Sequence, residues 1–395
     1  MPEVKRSHLL FYNICFACCF VFLALVLVEL GSAAVLRFRA PKPASGLDRT
    51  ASSIYRGKPW AEQYWYEDGA AGKVTYQSYV VWKQSPYAGQ QVNVDADFHR
   101  KTLNSDCSGH PYTVWMFGGS TIWGTGSPDE ATIPSQFAAL TARPDAPVCV
   151  VNFGQTGWRN TQEVIELMLA LKRTQQRPNL VIFYDGFNDG YSFYQSGKID
   201  VHMNYDQVRA QLERPSRQSL ARSLLTFLLS THTGRLITGV RPQNSFIDGG
   251  SVSPYTNEAD AKADLQVSYF ANLDIVKDLA AQYGFEYACF WQPTLFAGHK
   301  PLSPEEEKVR QNFSSRIEET DVEYRQMSNL LKAGAPPHFF DISNVFDGTR
   351  DTVFVDFVHV GPEGNKLVAE RIYSSLQQAG WRSKSAKKAP ASADN

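Results

Sequence analysis

The sequence predicts an α/β protein built on a parallel sheet. Three β-type runs, at 112–119, 147–154 and 179–186, each end in glycine. Helical stretches at 129–142 and 160–173 separate them. Strands alternating with helices of this length require right-handed crossovers and parallel pairing. A fourth strand is expected at 286–293 and a fifth at 338–343. A final helix is expected over 361–380, opened by Gly361, Pro362 and Glu363.

The flanking segments read differently. Residues 9–30 are almost wholly apolar, with no polar break between Ile14 and Val28. About 20 such residues span a bilayer core as a helix. The run exceeds the apolar region of a cleaved signal peptide, so residues 1–36 are read as a cytoplasmic start and a membrane anchor. Lys5 and Arg6 precede the run, and Arg37, Arg39 and Lys42 follow it. Charge alone leaves the orientation open, and the short basic start with a single span favours a cytoplasmic N-terminus. Residues 37–60, rich in Arg, Pro, Ser and Gly, read as a linker. The turn-rich, aromatic stretch 60–105 reads as a small β-rich preface. The catalytic-sized domain is then 106–381, carrying a helical insertion at about 192–255, and residues 382–395 read as a disordered tail.

Composition narrows the function. The chain has 395 residues, 39 Lys and Arg against 40 Asp and Glu, and 43% hydrophobic residues. This is a folded protein with no electrostatic case for nucleic acid as a partner. Cys15, Cys18 and Cys19 lie in the apolar run, where small polarizable side chains suit a membrane helix. Cys107, Cys149 and Cys289 remain for the soluble part. No cysteine–histidine cluster with zinc spacing occurs, and no cofactor motif, so neither metal nor cofactor is expected. The run 118–127 lacks the lysine of a phosphate-binding loop.

The unusual residues sit at strand ends, where open parallel sheets bind ligands. The first strand ends in Gly118-Gly119-Ser120, the second in Asn152-Phe153-Gly154, the third in Asp185-Gly186-Phe187-Asn188-Asp189. A serine after two glycines is exposed on a tight turn. Gly154 offers a backbone N–H, and Asn188 an amide donor. A serine nucleophile needs a base. Of eight histidines only His359 has an aspartate three residues before it, Asp356. Such an aspartate accepts the imidazole Nδ1–H and leaves Nε2 to take the serine proton.

In these four blocks the sequence resembles the SGNH hydrolases, the GDSL esterase superfamily. The serine block is Gly118 to Gly124, with Gly119 where many members carry aspartate. The glycine block is 152–154, the asparagine block 186–189, and the last block 356–359. The resemblance spans about residues 112–380 and leaves out the anchor, the preface and the insertion. It implies a flavodoxin-like three-layer α/β/α sandwich. It also implies Ser120 as nucleophile, His359 as base and Asp356 as its orienter, with the oxyanion held by the N–H groups of Ser120 and Gly154 and the Asn188 amide. Trp123 and Phe187 flank the site, as core or as a platform for sugar or acyl groups.

The expectation is a membrane-anchored, extracytoplasmic serine esterase of O-acyl groups, O-acetyl groups on a glycan among them. The bilayer and an acylated small molecule or glycan would be its partners. Acyl transfer to a polysaccharide and a non-catalytic role in a membrane assembly stay open as alternatives. In a flavodoxin-like sheet the first two strands are parallel neighbours about 5 Å apart. Cys107 and Cys149 then meet at the amino edge, within the span of a disulfide. Cys289, inside the fourth strand, is expected to stay a buried thiol.

Overall fold

The computed structural model describes residues 2–39, 49–142, 146–174, 176–212, 228–229, 231–238, 258–312, 325, 328–329 and 333–381. The chain divides into two compact units. The smaller, residues 1–48 and 206–249, holds helix α1 (Pro2–Arg39). Within α1, Phe11–Val35 is long and apolar enough to cross a membrane, with a mean hydropathy of 2.7, and nearly all of it is exposed. The proposed insertion is described in part, with helices at Tyr205–Leu212 and His232–Thr238, while 213–227, 239–257 and the tail 382–395 lie outside the described residues.

The larger unit, residues 49–205 and 250–395, begins with a preface. It contains α2 (Ala61–Ala71) and four short strands: β1 (Val74–Gln77), β2 (Val81–Gln84), β3 (Tyr87–Ala88) and β4 (Asn93–Val94). The preface therefore opens with a helix, where a β-rich segment is expected from the sequence. Ala61, Tyr64, Glu67 and Ala71 form its buried face, a helical spacing that the neighbouring aromatics obscure. Nor are residues 49–60 a free linker: Tyr55 is buried and its hydroxyl donates to the Gly126 carbonyl at 2.7 Å.

Beyond the preface come β5 (Tyr112–Gly118), α3 (Ser120–Trp123), α4 (Ile133–Thr141), β6 (Val148–Asn152), α5 (Asn160–Arg173), β7 (Leu180–Asp185) and α6 (Phe187–Ser196). After the insertion follow α7 (Glu258–Tyr283), β8 (Glu286–Trp291), α8 (Pro304–Asn312), β9 (Phe339–Asp341) and α9 (Pro362–Gln378). The five long-range strands pair in parallel in the order β6-β5-β7-β8-β9. Numbered along the chain this is 2-1-3-4-5, the flavodoxin-like order, with the sequence direction reversing beside β5.

Side-chain alternation sorts the sheet into two cores. Val114, Met116, Ile182 and Phe290 face one side, with Phe137 of α4 and Val368 and Ile372 of α9. Trp115, Phe117, Val181, Phe183 and Trp291 face the other, with Leu167 and Leu171 of α5 and Leu273 and Val276 of α7. Both faces being covered, the strands read as unbroken apolar runs. Local signals set the helix starts. Thr132 accepts the Ser135 N–H at 3.3 Å at the head of α4, and Pro362 fills the first turn of α9.

Cys107 and Cys149 are joined, with Cα atoms 4.5 Å apart. The reason is local: the Asp106 N–H donates to the Val148 carbonyl, and Ser105 Oγ bonds Val150, so residues 105–107 run along the start of β6. Closing a loop of separation 42 is worth about 4 kcal/mol in the chain-entropy model. Cys289 is a buried free thiol.

Candidate active site

Ser120 begins α3 directly after β5, which places it at the carboxyl rim of the central strand. His359 and Asp356 lie in the loop between β9 and α9. That loop is closed by the Val355 N–H on the His359 carbonyl and the Gly361 N–H on the Val353 carbonyl. Its base is fixed by Glu306 of α8, fully buried, which accepts the N–H groups of Val353 (3.0 Å) and Phe354 (3.1 Å) through Oε1. Its Oε2 pairs with buried Lys300 at 2.6 Å.

The three residues meet in line. Ser120 Oγ lies 2.7 Å from His359 Nε2, and His359 Nδ1 lies 2.7 Å from Asp356 Oδ2. Asp356 Oδ1 accepts the N–H groups of Val358 (3.0 Å) and His359 (2.8 Å). Burial raises the Asp356 carboxyl, but the His359 charge and these hydrogen bonds outweigh it and hold the group below its usual value. It is therefore a carboxylate at neutral pH. His359 and Asp356 keep 17% and 23% of their side-chain surface exposed, so the pair is only partly open to solvent.

The donor side differs from the sequence expectation at one residue. The Gly154 N–H donates to Asn152 Oδ1 at 2.8 Å, so a side chain already occupies it. Gly154 is glycine for another reason: a Cβ there would stand 2.3 Å from Trp123 N. Three residues on, Gly157 has φ +74 and an N–H with no acceptor among the described residues. Ser120 N–H likewise has none. Asn188 Nδ2 donates one hydrogen to the Trp158 carbonyl at 2.6 Å, which fixes the amide and leaves its second hydrogen. Gly119 leaves room for this amide. A Cβ there would lie 2.3 Å from Asn188 Nδ2 and 3.3 Å from the Trp158 oxygen. The Asn188 amide thus lies directly against Gly119, where a Cβ would displace it as it is placed here.

Trp123 and Phe187 are core. Trp123 is 1% exposed, with the Arg100 guanidinium 4.4 Å from its ring centre. Phe187 packs between Tyr191 and Phe357, with ring centres 5.3 and 4.9 Å away. Neither offers a platform to a ligand, because the helices that follow Gly119 and Gly186 turn these side chains inward. Arg100 is a brace missing from the sequence reading: it donates to the carbonyls of Trp123, Gly124 and Ser127 at the end of α3 and pairs with Asp129.

Under Asn188 lies a buried acidic cluster. Asp185 Oδ2 accepts from Asn160 Nδ2 (2.8 Å) and the Tyr269 hydroxyl (2.9 Å), and Asp189 Oδ1 accepts the Asn160 N–H (3.1 Å). These bonds tie the asparagine block to the head of α5. Glu163 Oε2 and Asp185 Oδ1 are both buried, and no donor reaches either among the described residues. One proton between them satisfies both. Burial, and then the Asp189 charge, push the Asp185 carboxyl up to about 7. Burial, and then the Asp185 charge, also raise Glu163 well above the usual carboxyl value. A carboxyl raised on folding stabilises most where it is protonated. Its contribution is complete below about pH 4 and is lost as pH rises towards about 7. Unfolding curves recorded between pH 4 and 8 should show this fall in the wild type and a flatter dependence in Asp185→Asn, which keeps the acceptor. Parallel curves would remove the shared proton.

No family model matches the sequence, and no curated protein matches it. Among solved structures the chain is similar to a member of the lipolytic protein G-D-S-L family from Veillonella parvula DSM 2008. The identity is 12%, over 67% of this chain and 98% of that one, with a TM-score of 0.36. It is also similar to the acetyl xylan esterase AlAXEase (12%, 67% and 99%, TM-score 0.34). A third is an acetylxylan esterase from Geobacillus stearothermophilus (13%, 69% and 96%, TM-score 0.33). In its own sheet order the chain has a flavodoxin-like α/β/α fold, with Ser120, His359 and Asp356 in hydrogen-bond contact at the carboxyl rim.

Proposed function

We propose that the chain is a serine esterase that works through an acyl-serine. The observation that carries this is the unbroken line from Ser120 Oγ through His359 to the Asp356 carboxylate. Ser120 Oγ attacks the ester carbonyl carbon as its proton passes to His359 Nε2. The tetrahedral oxyanion sits against the N–H groups of Ser120 and Gly157 and the free hydrogen of the Asn188 amide. Collapse breaks the bond to the alcohol oxygen, which leaves with the proton from His359. Water then attacks the acyl-enzyme by the same route and releases the acid.

Two features favour an extracytoplasmic catalytic domain anchored by α1. The Phe11–Val35 segment is apolar and largely exposed, and the Cys107–Cys149 bridge suits an oxidising compartment. The proposed substrates are O-acyl esters, including O-acetyl groups on a glycan. The buried Trp123 and Phe187 take no part in holding them.

A fluorophosphonate probe should label the wild type at Ser120. p-Nitrophenyl esters of rising chain length, beside an O-acetylated glycan, then report acyl length and alcohol. Absence of both labelling and hydrolysis would refute the esterase. Asn188→Ala should lower kcat by about 10²–10³ with little change in KM, because the amide binds charge that develops only in the transition state. A rise in KM alone would make Asn188 a substrate-binding group instead.

A further inference from the structure

We infer that Trp82, in the preface strand β2, is a positioning residue for the oxyanion site, acting through the Thr156–Gly157 peptide; this rests on the esterase reading above. The segment Gln155–Trp158 is a β-turn closed by the Trp158 N–H on the Gln155 carbonyl. Gly157 is its third residue, and its φ of +74 is that of a type II turn. Type I and type II turns differ by a flip of the central peptide, here Thr156–Gly157. A flip would reverse the Gly157 N–H, and glycine, with no Cβ, resists it little.

Trp82 opposes the flip. Its Nε1 donates to the Thr156 carbonyl at 2.9 Å. A trans peptide is planar, so its C=O and N–H point opposite ways. Holding the Thr156 oxygen on the indole therefore turns the Gly157 N–H to the other side. Trp82 also accepts the Trp158 Nε1–H on its own carbonyl at 2.9 Å. Trp158 in turn carries the carbonyl that fixes Asn188. Two oxyanion donors are thus referred to one residue of the preface. Gln84 supports the same turn: its Oε1 accepts the Thr156 N–H at 3.1 Å, its N–H donates to Gln155 Oε1 at 2.8 Å, and its Nε2 meets Thr156 Oγ1. Trp82 and Gln84 are both buried, so the brace is sheltered from water.

The test is Trp82→Phe in the full-length protein. The ring remains and the indole donor goes. The expected result is a kcat lower by about 10–100-fold with KM within about twofold, and an equal loss of affinity for a boronic acid whose adduct on Ser120 mimics the oxyanion. Unchanged kcat in the folded variant overturns the proposal, as does a rise in KM without a fall in kcat. If Trp82→Phe does not fold, Gln84→Met carries the same expectations at the same turn. Amide hydrogen exchange over 155–158 gives a readout independent of turnover: it should quicken in either variant, and unchanged exchange overturns the brace. If the wild type is neither labelled by fluorophosphonate nor active on esters, the esterase reading fails, and the exchange result still decides whether Trp82 holds the turn.

Discussion

Ser120→Ala should abolish ester turnover, by roughly 10⁵–10⁶-fold, in a protein that melts as the wild type does. The reasoning is local. The Ser120 hydroxyl meets His359 Nε2 at 2.7 Å and is only half-buried, so its loss opens no cavity. Alanine suits the first turn of α3 and retains the backbone N–H at the oxyanion position. What disappears is the nucleophile alone, so the fluorophosphonate label should vanish with the activity. His359→Ala should cost nearly as much, and the double variant scarcely more than either, because the two side chains act as one unit. Any turnover left above the rate in water would come from the oxyanion donors. Ester hydrolysis by folded Ser120→Ala within tenfold of wild type would leave the serine without its role.

The elements of the sheet were legible because each is a local pattern. Five apolar runs end at glycine or polar residues, and all five are strands of one parallel sheet. The Asp356–His359 pair was legible too, since three residues of loop bring an aspartate round to its own histidine. What the sequence hides is direction and distance. Gly154 and Gly157 look alike in the chain, and only the Asn152 side chain decides which N–H stays free. Trp123 and Phe187 lie within the serine and asparagine blocks, but helical geometry after Gly119 and Gly186 turns them into the core. Helix α7 has no counterpart among the elements expected from the sequence; Leu265, Tyr269, Leu273, Val276 and Ala280 bury one of its faces against the sheet. Exposed Val267 and Ile275 on its other faces blur that 3.6-residue period in the sequence. The braces were out of reach altogether. Glu306 bonds Val353 across 47 residues, and Trp82 bonds Thr156 across 74. Buried carboxylates and indoles of this kind give no sequence signal until the fold brings them together.

Asp356→Asn should be the most instructive change in the triad, because it alters hydrogen placement and almost nothing else. Asp356 has two duties on two oxygens. Oδ1 accepts the N–H groups of Val358 and His359, and Oδ2 accepts the His359 Nδ1–H. An asparagine whose carbonyl takes the first place keeps both backbone bonds, so the loop stays closed. Its amide nitrogen then faces Nδ1, and it donates where the carboxylate accepted. The imidazole must offer Nδ1 as acceptor, which moves its proton to Nε2. Nε2 then donates to Ser120 Oγ and has no lone pair with which to take the serine proton. The imidazolium also loses the carboxylate that would stabilise it as the proton arrives. In serine proteases this wrong tautomer costs about 10⁴ in kcat, and the same fall is expected here. Substrate contacts are untouched, so KM should hold within a few-fold. The stability consequence has the opposite sign to that of Asp185. A carboxyl lowered on folding stabilises above its unfolded value and loses that contribution as pH falls through the folded one. Asp356→Asn should therefore weaken the fold at neutral pH while reducing its sensitivity to acid below about pH 4. Kinetics on a p-nitrophenyl ester, with unfolding curves at pH 3 and 7, measure both. A kcat within tenfold of wild type would mean that His359 is oriented by something other than Asp356.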